Sequence, residues 1–111
     1  MIETEDRDGY TLVRLTVKRL DAQKAPGFRE AIAPVVADSP DRVIVDAGGV
    51  DFVDSTGLGC LVSLLKGMGP AGELLIAAPN PAVRKLFTIT RLDRVMRLHD
   101  SVEDAARSLA V

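Results

Sequence analysis

Arg42-Val43-Ile44-Val45-Asp46, followed by Ala47-Gly48-Gly49-Val50-Asp51-Phe52-Val53-Asp54-Ser55-Thr56-Gly57-Leu58-Gly59, is the stretch that decides how this chain folds. Its first five residues form a short apolar run of the kind found in a central strand covered on both faces. An acidic loop with two adjacent glycines follows. From Asp54 or Ser55 to about Gly69, the residues Leu58, Leu61, Val62, Leu65 and Met68 keep to one helical face, at offsets of 3, 4, 7 and 10 from Leu58. Gly67, Gly69, Pro70 and Gly72 end that helix. Strand, loop and helix in this order make the first half of a parallel crossover.

Working outward, Glu3 to Asp8 and Tyr10 to Val17 read as a hairpin, with Asp8-Gly9 as its turn and Val13, Leu15 and Val17 alternating along the second strand. Ala25 to Asp38 reads as a helix, since Phe28, Ile32, Val35 and Val36 recur at helical spacing and Pro26 suits a first turn. Pro34 in its interior predicts a kink or an early end, because proline lacks the N–H and crowds the carbonyl four residues back. Downstream, Glu73 to Ala77 is a strand. Pro81 to Thr90 is a helix with Val83, Leu86, Phe87 and Thr90 on one side, and Val95 to Leu98 is a fifth strand. Ser101-x-x-Asp104 resembles a capping box that opens a last helix running to Leu109. Strands alternating with helices from residue 42 onward imply an α/β fold. The expectation is one domain over residues 1–111, a mixed sheet of four or five strands with about four helices.

Composition narrows the function. The chain is 47% hydrophobic and 27% charged, the profile of a globular domain. A formal charge of -2, with basic residues in neither a run nor a stripe, disfavours nucleic-acid binding. No apolar run approaches the roughly 20 residues that span a bilayer. Glu3, Glu5 and Asp6 are unlike the start of a signal peptide, so a cytoplasmic protein without membrane insertion is expected. A single cysteine, Cys60, cannot form an intrachain disulfide, and a single histidine, His99, cannot alone hold a metal of the usual kind. Cys60 falls in an apolar helical stretch, where a buried structural thiol is expected. No base-and-nucleophile pair stands out, so neither enzyme activity nor a cofactor or metal is expected.

Chemistry concentrates at the start of the central helix. A side chain there faces unpaired backbone N–H groups and the positive end of the macrodipole, so Asp54 or Ser55 suits an N-cap, and a phosphate on Ser55 would also be stabilised. Gly57 and Gly59 are read as leaving the first turn uncovered. The phosphate-cradling pattern of nucleotide-binding loops is missing, and no lysine follows until Lys66.

The string Phe52-Val53-Asp54-Ser55-Thr56-Gly57-Leu58-Gly59 resembles the phosphorylation-loop signature of anti-sigma-factor antagonists in the STAS superfamily. The likeness extends along most of the chain. Leu15-Thr16 through Leu20-Asp21, Pro26 to Ala31, Asn80-Pro81-Ala82-Val83-Arg84-Lys85-Leu86-Phe87, Leu92-Asp93-Arg94 and Asp100 to Ala105 are each similar to a family segment. Two positions depart, Lys18 and Arg91, where family members usually carry glycine.

The resemblance implies a single STAS-type domain that binds an anti-sigma-factor serine kinase and thereby releases sigma factor. It selects Ser55, directly after Asp54, as the phosphorylated residue, with Thr56 as the alternative, and implies a serine phosphatase that resets the switch. The implied partner-binding residues are Asp21, Asp51, Asp54, Ser55, Thr56, Gly57, Leu58 and Gly59; Ser63 and Lys66, on the exposed side of the central helix, read equally well as part of that surface or as solvated residues. Loops after parallel strands share one sheet edge, which brings the Lys18 to Lys24 connection beside the Gly48 to Ser55 loop. The alternative function is that of a STAS subunit in a lipid-transport ABC complex.

Overall fold

The computed structural model describes residues 1–109. The elements in order are β1 (Ile2–Arg7), β2 (Tyr10–Leu15), β3 (Arg19–Leu20), α1 (Ala25–Ala37), β4 (Arg42–Asp46), β5 (Phe52–Val53), α2 (Ser55–Gly67), β6 (Glu73–Ala77), α3 (Pro81–Ile89), a short 3₁₀ turn (Leu92–Arg94), β7 (Met96–His99) and α4 (Val102–Leu109). The main sheet has five strands in the order β1-β2-β4-β6-β7. Only the β1–β2 hairpin is antiparallel, and the β2–β4, β4–β6 and β6–β7 pairs are parallel. Gly9 closes the hairpin at φ 88°, a left-handed conformation that glycine adopts without steric cost. The fold class matches the expectation of a mixed α/β sheet with four helices.

Alternation along the strands sorts the core into two layers. Val13, Leu15, Val43, Val45, Leu74, Ile76 and Met96 pack with α1, α2 and α3 in the larger cluster, around Phe28, Leu61, Leu64 and Phe87. On the other face Leu12, Ile44, Leu75 and Ala77 meet α4 through Ala105. Val43, Ile44 and Val45 are all fully buried, because the central strand is covered on both sides.

Several expectations are corrected. β2 ends at Leu15, two residues short of Val17: the Thr16 N–H to the Met1 carbonyl is the last tie of the hairpin, and the chain then leaves it, the Lys18 carbonyl accepting from Asp51 and Phe52 instead. Helix α1 runs through Pro34 to Ala37. Pro34 and Glu30 both lie on the exposed side, where the carbonyl that proline leaves without a donor can meet water. Helix α2 ends at Gly67, and its buried face is Leu58, Cys60, Leu61 and Leu64, while Val62 and Leu65 are half-buried at its margin. The apolar stripe is therefore rotated toward Cys60 and Leu64, since β5 and α1 flank the helix. Thr90 is exposed and serves as the C-cap of α3, its hydroxyl donating to the Leu86 carbonyl at 2.8 Å. Val95 precedes β7 and is exposed. At α4 the Asp104 N–H donates to Ser101 Oγ at 3.0 Å, which is half of a capping box; the Asp104 carboxylate pairs with Arg107 instead.

Two elements had no counterpart in the sequence reading. β3 and β5, two residues each, form a separate parallel pair with Arg19 opposite Phe52 and Leu20 opposite Val53.

Candidate functional site

β4 delivers the chain to the edge of the sheet. The Ala47 N–H still bonds the Ala77 carbonyl at 2.9 Å, and the backbone then turns, with the Gly48 N–H on Asp46 Oδ1 and the Val50 N–H on the Ala47 carbonyl. Val50 is buried and anchors this turn. Next, Asp51 and Phe52 donate to the Lys18 carbonyl at 2.7 and 3.3 Å, and the Asp54 N–H reaches the Leu20 carbonyl at 3.3 Å. The Lys18–Lys24 and Gly48–Ser55 segments, remote in sequence, thus form one continuous edge.

Asp54, not Ser55, is the N-cap of α2, in extended backbone at φ -100° and ψ -176°. Its Oδ1 accepts from the Gly57 N–H at 2.8 Å, the usual capping bond, and its Oδ2 accepts from the Ala22 N–H at 3.1 Å. One carboxylate therefore ties the helix start to the loop after β3. The Gly57 bond above all, with the bonds from Ala22 and Thr56 and the charge of Arg19, holds its pKa below the ordinary value of 3.8, against a desolvation that acts the other way.

Gly57 is buried, contrary to the expectation of an uncovered first turn. A Cβ there would lie 2.0 Å from the Leu20 carbonyl oxygen, so β3 rests directly on the backbone of α2. Leu58 is also buried, 4% exposed, and belongs to the core. Gly57 and Leu58 shape the site from beneath and present no side chain to a partner. Gly59 is half-buried, with open space where a Cβ would stand.

At the surface of this edge lie Ser55 and Asp51, both exposed, and Thr56, half-buried. Asp21 is turned inward to accept from the Lys24 N–H at 3.2 Å and from Arg19 Nε at 3.3 Å. The same Arg19 guanidinium lies 4.2 Å from the centre of the exposed Phe52 ring, a cation–π contact. Ser63 and Lys66 are exposed further along α2.

Two contributors were not singled out from sequence. Arg19 has no motif around it and is recruited through the β3–β5 pairing. Asn80 stands directly before Pro81 and caps α3, its Oδ1 accepting from the Val83 N–H at 2.8 Å. Its Nδ2 also donates to the carbonyls of Val50 and Asp51, at 3.2 and 3.3 Å, a link across 30 residues that no local pattern signals.

Cys60 is 1% exposed, and desolvation raises its pKa above the ordinary value of 9.0, so the thiol stays neutral and packs as an apolar group. No group of three or more His, Cys, Asp or Glu side chains placed to hold a metal occurs among the described residues. Nor is any helix there long and apolar enough to cross a membrane. The arrangement is an exposed polar edge with an accessible hydroxyl at Ser55.

Comparison with known proteins agrees with this fold. The family model described as STAS domain matches residues 1–105. The anti-sigma-F factor antagonist RsfB of Mycobacterium tuberculosis is 30% identical over 104 residues, covering 94% of this chain and 84% of that protein. The anti-sigma-B factor antagonist of Staphylococcus aureus is 31% identical over 103 residues, covering 92% and 94%. Among solved structures, that of an anti-sigma factor antagonist from Mycobacterium paratuberculosis superposes with a TM-score of 0.90 at 31% identity, covering 100% of this chain and 94% of the other.

Proposed function

The chain belongs to the STAS-domain family of anti-sigma-factor antagonists, and we propose from that premise that it is a binding module controlled by phosphorylation. The unmodified protein binds an anti-sigma factor that is also a serine kinase, in the cytoplasm, and sigma factor is released. Transfer of a phosphoryl group to Ser55 Oγ ends the binding, and a serine phosphatase restores it. The chain is the kinase's substrate and carries out no chemistry of its own.

The observation that carries this reading is the setting of Ser55. It is exposed on the first residue of α2, and because Asp54 performs the capping, its hydroxyl is not needed to hold the helix. A phosphoserine adds about -1.5 to -2 charges and three acceptor oxygens. The Gly57 N–H at this helix start is already bonded to Asp54, so the new charge sits beside an ionised carboxylate, with Asp51 exposed on the same edge. Repulsion and the cost of desolvating that charge weaken a close contact here.

The test is phosphosite mapping and binding with the kinase recovered by co-purification from the native cell. Ser55→Ala is expected to fold with a stability change within about 0.5 kcal/mol, to bind the kinase and to remain unphosphorylated. Thr56→Ala is expected to be phosphorylated normally. Phosphorylation of Ser55→Ala to the wild-type extent would move the switch to Thr56 or elsewhere. Recovery of a transport ATPase and no kinase would favour the lipid-transport subunit.

A further inference from the structure

We infer that Asn80 is a positioning residue for the loop that presents Ser55, an inference that rests on the proposed role of that serine. The carboxamide has two ends with different duties. Oδ1 accepts from the Val83 N–H at 2.8 Å and caps α3. Nδ2 donates to the carbonyls of Val50 and Asp51, at 3.2 and 3.3 Å. Among the described residues this is the one side chain from outside the 46–54 segment that bonds the backbone of the turn between β4 and β5. The other ties of that turn are local or come from main chain, namely Ala47 on Ala77, Gly48 on Asp46, Val50 on Ala47, and Asp51 on Lys18.

The loop is therefore gripped from both flanks. On one side the Lys18 carbonyl, just before β3, holds Asp51 and Phe52. On the other, Asn80 holds the two carbonyls just before them. With Val50 buried beneath, the peptide between Val50 and Phe52 has little freedom, and Asp54 and Ser55 follow from it at a fixed place. An amide is suited to this position because it carries an acceptor and a donor on one rigid plane. A helix cap alone requires only the acceptor, so serine, threonine or aspartate would do as well there. The donor is the part directed at the loop.

This division makes Asn80→Asp the discriminating variant. Aspartate keeps the acceptor for Val83 and remains a good N-cap, but it replaces the donor with a carboxylate oxygen facing two carbonyl oxygens. Amide hydrogen exchange on the purified protein reads the consequence without any partner. The amides of Val50 and Asp51 should exchange about tenfold faster, while those of Val83 and Arg84 keep their wild-type rates. The kinase assay reads the functional consequence. Because the misplaced edge docks poorly but still carries Ser55, KM should rise about tenfold with kcat little changed. Asn80→Ala, which loses both ends, should accelerate exchange in the loop and at the start of α3 together.

Wild-type exchange at Val50 and Asp51 in Asn80→Asp would overturn the inference, as would acceleration confined to Val83 and Arg84. If no kinase phosphorylates even the wild-type chain, the proposed function fails while the exchange data still decide whether Asn80 holds the loop. If exchange accelerates and KM is unmoved, the loop grip stands but its role in presenting Ser55 is refuted.

Discussion

In the five-stranded sheet the inward-facing residues are buried almost completely, with Val13, Val43, Val45, Ile76 and Met96 at 0% exposure and helices on both sides. In the β3–β5 pair only Leu20 and Val53 point inward, while Arg19 and Phe52 stand in solvent, and the rest is held by backbone bonds to Lys18 and Leu20 and by the Asp54 carboxylate. The first region is stabilised by many apolar contacts that no single residue dominates. The second depends on a handful of directed polar contacts and one close backbone approach. An edge built this way can be altered by one charge or one methyl group without melting the body that carries it.

The largest effects should separate the two regions. Leu61→Ala removes a core side chain that is 3% exposed, and truncation of a buried leucine typically costs about 2–5 kcal/mol, so the denaturation midpoint should fall steeply and exchange should accelerate throughout the sheet. Gly57→Ala adds a methyl group where the Leu20 carbonyl oxygen would lie 2.0 Å away, and overpacking of this kind costs about 1–3 kcal/mol. Its damage should be local. The Asp54 amide, which bonds that same carbonyl, should lose protection, while the amides pairing β4 with β6 keep theirs. If Gly57→Ala instead weakens every strand equally, the edge is part of the cooperative core and the distinction between the regions fails.

A smaller effect should appear on acidification. The Asp54 carboxyl titrates below its ordinary value of 3.8 in the folded protein, so the folded state favours its ionised form. That contribution is fully present well above pH 3.8 and is lost as the pH falls through the depressed folded value. Asp54→Asn cannot show this loss, because its amide does not titrate. The stability difference between wild type and Asp54→Asn should therefore be constant near neutrality and shrink below about pH 4. Glu5, held low by Arg7, titrates in the same direction but is common to both proteins and cancels. A difference that stays constant down to pH 2.5 would show that the two bonds to Gly57 and Ala22 do not depend on ionisation.

What could be read from the sequence follows the same division. β4, β6, α2 and α3 carry their hydrophobic period in their own residues, and so does the hairpin around Gly9. Within α2 the period located the helix but not its rotation. Leu64 and Leu65 are adjacent and equally apolar, and the packing of β5 and α1 decides which of them is buried. That α1 continues past Pro34 to Ala37 was not legible, because the cost of the proline depends on whether the freed carbonyl faces water, a tertiary fact. β3 and β5 are two residues each, too short to show any alternation, and their pairing joins Arg19 to Phe52 across 33 positions. The Asp54-Ser55-Thr56 segment was legible as a helix start with a modifiable hydroxyl. The second bond of Asp54, the contact under Gly57 and the donor end of Asn80 were not, because each is made to a residue far away in sequence.

The smallest expected effects concern Lys18 and Arg91, the two positions at which the sequence departs from the family pattern it resembles, and the two should respond in opposite directions. Arg91 follows the C-cap of α3 at φ 62° and ψ 17°, a left-handed conformation, with its N–H on the Thr88 carbonyl. A side chain in that conformation costs about 1–2 kcal/mol, whereas the extra freedom of glycine in the unfolded chain costs about 0.4–1 kcal/mol. Arg91→Gly should therefore stabilise the protein by about 0.5 kcal/mol and raise Tm by about 2–4 °C, with the exchange of Asp51 and Asp54 unchanged. Lys18 has no such strain, since Ser39, Ala78 and Arg91 are the non-glycine residues at positive φ among the described residues. Its carbonyl receives both Asp51 and Phe52. Lys18→Gly gains no relief and loosens the segment before β3 that holds the loop, so it should lower stability by about 0.4–1 kcal/mol and accelerate exchange at Asp51 first. Stabilisation by both substitutions would place hidden backbone strain at Lys18. Destabilisation by both would mean that the Arg91 side chain makes a contribution larger than its backbone cost.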